Sequence, residues 1–460
     1  MKTNHKLIIL AMLLLALLPI SCDDFLEVDV PDSQLTGEAV FTDTQTAEAA
    51  LLNVYSKLRN STLLVGDPNG IGILLGAASD ELTVYSNDNS AEDAFYTNNL
   101  QPETTAITTL WNNTYNAIYS ANAVMEGVEA SGGIPEADKD RLFGEALFLR
   151  SVMHFYLMNM YGDVPYVSGT NYEVNTTIGK LSPEVLYPLL VADLQTAISV
   201  LPNEYPSAQR TRANKFTAIA FLSKVYLYMQ DYAAAEMQAS LVIDNALYAW
   251  NDDLSTVFLP DSPATVWQLQ PAFAGESTLE AQYYVFFSGP PPSRSMTPSL
   301  VSAFETADER FAQWVGTVTE GSESWYYPYK YKVIEFGDTS MEYSTVMRLE
   351  ELYLIRAEAN AMLGNVSAAQ ADINKIRNRS GLGNTTASTQ QQLLEAIVQE
   401  RRIEFFAEHG QRWFDLKRLG LSNAVLSPEK PGWDATDILL PLPANELLIN
   451  PNLLPQNPGY

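Results

Sequence analysis

Cysteine is almost absent from this chain of 460 residues, where it occurs once, as Cys22. A single cysteine cannot form a disulfide within its own chain, so the fold must depend on a hydrophobic core, which a chain of this length can build. Histidine is nearly as rare, at His5, His154 and His409. Zinc sites draw most of their ligands from cysteine and histidine, so this shortage predicts no zinc site, and we expect no other metal or cofactor.

The motifs of common catalytic sites are also missing. The chain contains no HExxH, no GxSxG and no GxxxxGK[ST], which would place a zinc-binding helix, a nucleophilic serine or a phosphate-binding loop. Pairs of acidic residues do not indicate a glycoside hydrolase here, because among 55 carboxylates some close pair is inevitable. We predict His154 to be a hydrogen-bonded core residue and His409, beside Gly410, to cap carbonyl groups. No catalytic residue is predicted, and the chain is not expected to be an enzyme.

Basic residues are scarce. The chain has 27 lysines and arginines against 55 acidic residues, which gives a formal net charge of −28. A nucleic-acid partner would be repelled by this charge, and no basic stripe compensates for it. Nucleic-acid binding is therefore excluded.

A long apolar run occurs at residues 7–20, and its 14 residues are too few to cross a membrane comfortably. It follows two lysines and precedes Ser21 and Cys22, an order typical of a secretory signal peptide. The cysteine after a small residue resembles a bacterial lipoprotein signal, although Pro19 stands where such signals usually have leucine. We predict residues 1–21 as a lipoprotein signal peptide and Cys22 as the lipid anchor. The alternative is an ordinary secretory signal followed by an incidental thiol.

Most of the chain has the periodicity of helices that come in pairs. In residues 136–165, apolar side chains recur every three or four positions, and Phe148, Val152 and Phe155 add a second apolar face. This pattern predicts a helix buried on two sides. In two further pairs, a short turn leads into an alanine-rich helix, and small side chains allow the close antiparallel packing of tetratricopeptide-like hairpins. The predicted pairs are 113–132 with 136–165, 214–229 with 233–246, and 346–363 with 367–383, and a last long helix is predicted at 389–420.

Two stretches lack helical periodicity, at residues 60–103 and 246–345. The first is rich in Gly, Asn, Asp and Ser, and the second holds many of the prolines and the strand-like runs TVWQLQ and YYVFF. The proline-punctuated tail at 438–460 predicts an extended segment packed against the core. We therefore predict a mainly α protein with irregular loop and short-strand insertions.

A dense group of charges lies near the last helix. A structural network of ion pairs explains this group better than a catalytic role, since each charge has a neighbour of opposite sign within a few residues. Its members are Glu400, Arg401, Arg402, Glu404, Arg412, Asp415, Lys417 and Arg418.

Four blocks of the sequence carry a family resemblance. They are GEALFLRSVMHFYLMNMYGDVPYV, VMRLEELYLIRAEANAMLGNVSAAQADINKIRNRSGL, ERRIEFFAEHGQRWFDLKRLG and LLPLPANELLINPNLLPQNPGY. In this order, after the lipoprotein signal, they resemble the SusD/RagB family of Bacteroidetes outer-membrane lipoproteins. Asp23 and Asp24, after the cysteine, resemble the signal that exports such lipoproteins to the cell surface. The resemblance implies one SusD-like domain over 22–460, with a scaffold of helical hairpins and with the ligand face on the two insertions.

The resemblance also implies a function. Family members are lipid-anchored at the outer face of the outer membrane, cap a SusC-like TonB-dependent β-barrel transporter and deliver glycans, or sometimes peptides, into it. We therefore expect a glycan-binding protein. A peptide-binding member of the same family, a lipid-anchored glycoside hydrolase or lyase, and a helical adaptor without a small ligand are the alternatives.

A sugar ring needs exposed aromatic platforms with polar groups between them. The insertions supply such residues, whereas Trp111, Trp267, Trp413 and Trp433 are predicted to lie in the core. The first insertion contains no tryptophan, unlike the best-known starch-binding pattern, so another glycan or a peptide stays open. The predicted ligand-binding residues are Tyr85, Asn87, Asp88, Phe95, Tyr96, Tyr283, Tyr284, Arg294 and Trp325.

Overall fold

The computed structural model of the chain describes residues 40–85, 90–430 and 432–460. The predicted signal peptide at 1–21, the anchor Cys22 and the site candidates Asn87 and Asp88 lie outside these residues. Within the described ranges, no helix combines the length and the apolar character needed to cross a membrane.

The longest helices form the first predicted hairpin. Its second helix, α5 (Glu136–Tyr161), is buried at every position from 144 to 161. It ends at Gly162, whose positive φ of 76° suits glycine. The predicted burial on two sides is confirmed, because α5 packs against α4 on one side and against α7 on another. The first helices of the fold are α1 (Thr44–Asn60), α2 (Ile71–Ala78), α3 (Ala91–Tyr96), α4 (Thr105–Ala130), α5 (Glu136–Tyr161), α6 (Tyr172–Asn175) and α7 (Pro183–Val200).

The other two hairpins are also present, and they pack on each other through α9 and α13. Helix α8 begins with a capping box in which Asn214 and Thr217 each bond the other's backbone N–H. The mainly helical fold is therefore confirmed. The hairpins are α8 (Lys215–Tyr228) with α9 (Tyr232–Ile243), and α13 (Leu349–Met362) with α14 (Val366–Arg379).

The predicted single long helix at 389–420 is wrong. The chain forms α15 (Gln390–Glu404) and α16 (Gln411–Arg418), separated by a turn in which Ala407, His409 and Gly410 have φ angles of 59°, 42° and 69°. Tertiary contacts favour this turn over a continuous helix, because it brings Glu408 to two buried cations. His409 does meet a carbonyl, 3.1 Å away, but on strand residue Thr345 and not at a helix end.

The insertion at 246–345 folds into short strands and helices. TVWQLQ forms a strand as predicted, whereas YYVFF does not, because its two tyrosines end a helix. The strands pair antiparallel as β1 with β3, β2 with β6 and β4 with β5. The elements are β1 (Leu82–Val84), β2 (Thr265–Leu269), α10 (Leu279–Tyr284), β3 (Arg294–Met296), α11 (Pro298–Ser302), α12 (Glu309–Trp314), β4 (Val315–Glu320), β5 (Glu323–Pro328) and β6 (Ser344–Arg348).

The C-terminal tail is packed down, as predicted, but it is not extended throughout. Asn457, from the terminal Asn-Pro-Gly-Tyr, donates to the carbonyl of Tyr161 at the end of α5 and to that of Leu440, both at 2.7 Å. Leu440, Leu442 and Leu453 are buried. After α16 the chain forms α17 (Ser422–Leu426), α18 (Ala444–Ile449) and two 3₁₀ turns, Ala435–Ile438 and Pro451–Leu453.

His154 and the four tryptophans predicted to lie in the core follow their predictions. His154 donates from Nδ1 to the Arg150 carbonyl at 3.0 Å and accepts from the Val167 N–H at 3.1 Å, so it is a satisfied core residue. Burial lowers the pKa of His154 to about 3, so the ring is neutral. Trp111, Trp267 and Trp413 are buried and Trp433 packs against the core.

The predicted structural ion-pair network is confirmed except at Lys417, whose ammonium group donates to the Asn159 carbonyl instead. Glu404 lies at its centre, fully buried, and bonds the guanidinium groups of Arg310, Arg348 and Arg379. Arg401 bonds Asp415 at 2.6 Å. These pairs fix the turn and α15 to the second insertion and to hairpin α13–α14.

Candidate functional site

Strands β1 and β3 join the two insertions into one surface. Thr83 pairs with Ser295 and Val84 with Arg294, and the Tyr85 N–H extends the ladder by donating to the Ser293 carbonyl at 2.8 Å. Tyr85 of the first insertion and Arg294 of the second are thereby carried by segments that contact each other.

The buried side chain of Arg294 bonds residues of both insertions below this surface. It is buried, and Nε and one terminal nitrogen each lie 2.6 Å from a carboxylate oxygen of Glu92 on α3. Its other terminal nitrogen donates to the carbonyl of Tyr283 on α10. The prediction that Arg294 binds ligand is therefore wrong, because its guanidinium group is buried and bonded to Glu92 and to the Tyr283 carbonyl. Its role is to position the segments that carry the exposed rings.

Two tyrosines present their rings to solvent. Tyr283 is 41% exposed at the end of α10. Tyr85 is also exposed, and its hydroxyl lies 3.0 Å from Ser295 Oγ, which fixes the ring on the β1–β3 pair. Both stay candidates for stacking against a ligand.

Tyr96, at the end of α3, is partly buried and has a cation against its ring. Lys430 Nζ lies 3.9 Å from the ring centroid and donates to the Ala77 carbonyl. A cation over an aromatic face contributes about 0.5–2 kcal/mol. Burial lowers the pKa of Lys430 to about 7, against the opposing effect of Asp80. Lys430 therefore occupies one side of the Tyr96 ring and sets its orientation.

Trp325 lies on β5, partly exposed, with its ring against the loop that follows α10. A methyl group on Gly289 would fall 2.0 Å from a Trp325 ring carbon, so only glycine permits this contact. Phe286 packs on Tyr327 at 4.8 Å between centroids, and the next residue, Phe287, points outward and is 74% exposed.

Two further predictions are wrong. Phe95 is fully buried in the main core, and Tyr284 is only 4% exposed. A ring without an exposed face cannot stack on a sugar. Burial raises the pKa of the Tyr284 hydroxyl well above its ordinary value.

We call five exposed or partly exposed rings of the two insertions the aromatic face: Tyr85, Tyr96, Tyr283, Phe287 and Trp325. Sequence reasoning missed Phe287, Gly289 and Lys430. Phe287 could have been found from the alternation of an inward Phe286 with an outward neighbour. Lys430 had no sequence signal, because its contact with Tyr96 depends on the tertiary fold. Within the described ranges, no group of three or more His, Cys, Asp or Glu residues could hold a metal ion.

Glu81, immediately before β1, is an unpaired buried acid beneath this surface. Among the residues that the structure describes, its Oε1 has no hydrogen-bond partner, and its Oε2 receives a long bond of 3.4 Å from the Ala407 N–H. Burial first, and then the charge of Asp80, raise the pKa of Glu81 to about 8, against the effect of Arg412 and Lys330. In the unfolded chain the pKa of Glu81 is about 4.5. Between pH 4.5 and pH 8, the Glu81 carboxyl group therefore keeps a proton in the folded chain that it releases in the unfolded chain. The stability from Glu81 is complete below pH 4.5 and is lost as the pH rises towards 8.

We expect Glu81→Gln to become increasingly stabilising with pH, because glutamine needs no proton. Relative to wild type, its free energy of unfolding should rise by about 3 kcal/mol between pH 4.5 and pH 7. Urea unfolding at the two pH values measures this difference. The control is Glu184→Gln: the exposed Glu184 has its pKa lowered by a hydrogen bond from the Ser182 side chain, so the effect of this variant should change little over this range. A pH-independent effect of Glu81→Gln would contradict the assignment.

Comparison with known proteins agrees with the fold. A family model described as starch-binding associating with outer membrane matches residues 24–227, and the SusD family model matches 312–460. SusD-like protein P2 of Formosa agariphila is 28% identical over 77% of this chain and 81% of its own length.

Two solved structures have the same fold. A SusD-like carbohydrate-binding protein of Bacteroides fragilis superposes with a TM-score of 0.78 at 20% identity, over 90% of this chain and 100% of the other. Surface glycan-binding protein A of Bacteroides thetaiotaomicron, in complex with laminarihexaose, superposes with a TM-score of 0.76 at 18% identity, over 90% of this chain and 100% of the other. At these identities the likeness establishes the fold.

Proposed function

The chain belongs to the SusD family, and we propose on that premise that it captures an oligosaccharide on the aromatic face and delivers it to a TonB-dependent outer-membrane transporter. The family is non-catalytic, so the prediction that the chain is not an enzyme is confirmed. The family is also associated with the outer membrane.

The observation that carries the proposal is the set of rings on the aromatic face. Water-exposed rings as large as Phe287 and Tyr283 leave apolar area uncovered, and the C–H faces of a sugar can cover it. A stacked sugar that covers about 50–100 Å² contributes roughly 1–3 kcal/mol at ~25 cal/mol per Å². Two or three such platforms, less the cost of association, give roughly micromolar to millimolar affinity. This range suits a protein that must release its cargo.

Related proteins support an oligosaccharide as the ligand. A neighbour with a TM-score of 0.75 is described as laminarin-binding, and the surface glycan-binding protein is seen with laminarihexaose. Surface attachment and the transporter partner rest on the lipoprotein-like N-terminus and on the outer-membrane association of the family. Mass spectrometry of the protein from its native host tests the anchor, since an unacylated Cys22 would remove it.

We expect Tyr283→Ala and Trp325→Ala each to weaken glycan binding about tenfold, because each removes a stacking platform worth about 1–2 kcal/mol. Affinity gels containing a panel of polysaccharides, followed by calorimetry on the one that binds, measure the change. Phe336→Ala is the matched control: this phenylalanine is exposed but lies outside the aromatic face. Unchanged affinity in both variants would refute the site, and release of shorter products by the wild type would refute a purely binding function.

A further inference from the structure

A second groove opens on the helical scaffold and shares no residue with the aromatic face. It has a volume of about 400 Å³ and lies between α4, the segment around α6 and the C-terminal tail. This volume is within the range of small-ligand sites and too small for a folded partner. Its polar lining consists mainly of amides and one carboxylate, Glu446.

One face of α4 alternates amides with tyrosines. The spacing from Asn112 is three residues to Tyr115, four to Asn116 and seven to Tyr119. Residues at this spacing lie along one side of a helix. Such a side normally carries aliphatic residues when it is buried against the core. Here it lines the groove instead.

The tyrosines divide into a floor and a rim. Trp111 and Tyr115 form the floor, with centroids 4.8 Å apart, and the Tyr115 hydroxyl is satisfied by the Pro165 carbonyl at 2.9 Å. At the rim, Tyr119 is 49% exposed and Tyr172 is 78% exposed. Rings this exposed contribute little to the core.

The amides leave complementary groups for sugar hydroxyls. The Asn116 side-chain oxygen accepts from Lys57 Nζ at 2.6 Å, which leaves its NH₂ group to donate. The Asn175 NH₂ donates to the Gly169 carbonyl at 2.9 Å, which leaves its oxygen to accept. Partial burial raises the pKa of Glu446, and no cation in the described part of the chain offsets that effect. A carboxylate without a cation repels acidic sugars and accepts from neutral hydroxyls.

We propose that this groove is a second binding site for neutral oligosaccharide, with Tyr119 and Tyr172 as stacking platforms and with Asn116 and Asn175 as hydroxyl partners. The choice of ligand class rests on the proposed function, whereas the location does not. Two sites on one surface protein hold a long polysaccharide more tightly than either alone, because the second contact forms at a high effective concentration.

Calorimetry with laminarihexaose, cellohexaose and maltohexaose tests the proposal. With the hexaose that binds, the wild type should take up two molecules per chain. Tyr119→Ala/Tyr172→Ala should reduce the ratio to one, and Tyr283→Ala/Trp325→Ala should also leave one. Combining the four changes should abolish binding. Tyr172→Phe should keep both sites, because it retains the ring.

Leu448→Ala is the matched control, since Leu448 is exposed near the groove but does not line it. A stoichiometry of one that only the aromatic-face variants reduce would overturn the groove and leave the proposed function intact. Binding that only the groove variants abolish would support the groove and overturn the aromatic face. A wild type that binds none of the three hexaoses would overturn both. If the groove variants and Leu448→Ala instead weaken association with the purified transporter and leave sugar binding unchanged, the groove is a protein-docking surface and the proposal fails.

Discussion

Arg294→Met is expected to lower the free energy of unfolding by about 4 kcal/mol and to abolish glycan binding on the aromatic face. Methionine removes the cation that neutralises Glu92, and a buried carboxylate left without its partner costs about 3–5 kcal/mol. The same change removes the bond to the Tyr283 carbonyl, so α10 loses a tether directly beneath an exposed ring. Stability and binding should therefore fall together.

Urea unfolding and calorimetry with the glycan that the wild type binds measure the two effects. Lys139→Met is the control, because its pair with the exposed Glu136 contributes less than about 1 kcal/mol. Adding Glu92→Leu to Arg294→Met should restore much of the stability, since no buried charge remains, but not the binding, since the tether is still absent. An Arg294→Met protein with full stability would show that the ion pair is not what joins the two insertions.

The helical scaffold could be predicted from the sequence because its signals are local. Spacings of three and four residues identified α5, and Gly162 marked its end. The turn after α15 had no such signal, since Phe405 and Phe406 continue a helical pattern. Glu408 makes its ion pairs with residues far away in the chain, and these contacts override the local preference.

The site could be predicted by region but not by residue. Tyr283 and Tyr284 are adjacent and chemically identical, yet one is exposed and the other buried, because successive side chains on a helix such as α10 project about 100° apart. Composition locates aromatic residues in an insertion, but the direction of each ring depends on packing. The same limit explains why Arg294, expected to face the ligand, is buried against Glu92.

The acids of the last helices show how a buried carboxylate can serve structure and not catalysis. A general acid or base needs a carboxyl group that can reach substrate and exchange a proton near neutral pH. Burial alone would raise the pKa of Glu404, but the guanidiniums of Arg379, Arg348 and Arg310 hold it well below its ordinary value. Glu404 is thus a buried structural anion that three guanidinium groups keep ionised at neutral pH.

Glu404→Gln is therefore expected to destabilise the fold even more than Arg294→Met, with a loss of about 5 kcal/mol or failure to fold. Glutamine has nearly the same shape, so the loss comes from the charge that three buried guanidiniums share, and not from a cavity. Glu305→Gln provides the control, because Glu305 is exposed and also bonds a guanidinium, that of Arg377, yet should change stability by less than about 1 kcal/mol. Urea unfolding of both variants at pH 7 measures the contrast. Equal, small effects would mean that the buried network is not needed to hold α15 against the second insertion. A large effect of Glu404→Gln alone would instead mean that the scaffold, through these pairs, sets the position of the insertion that carries Tyr283, Phe287 and Trp325.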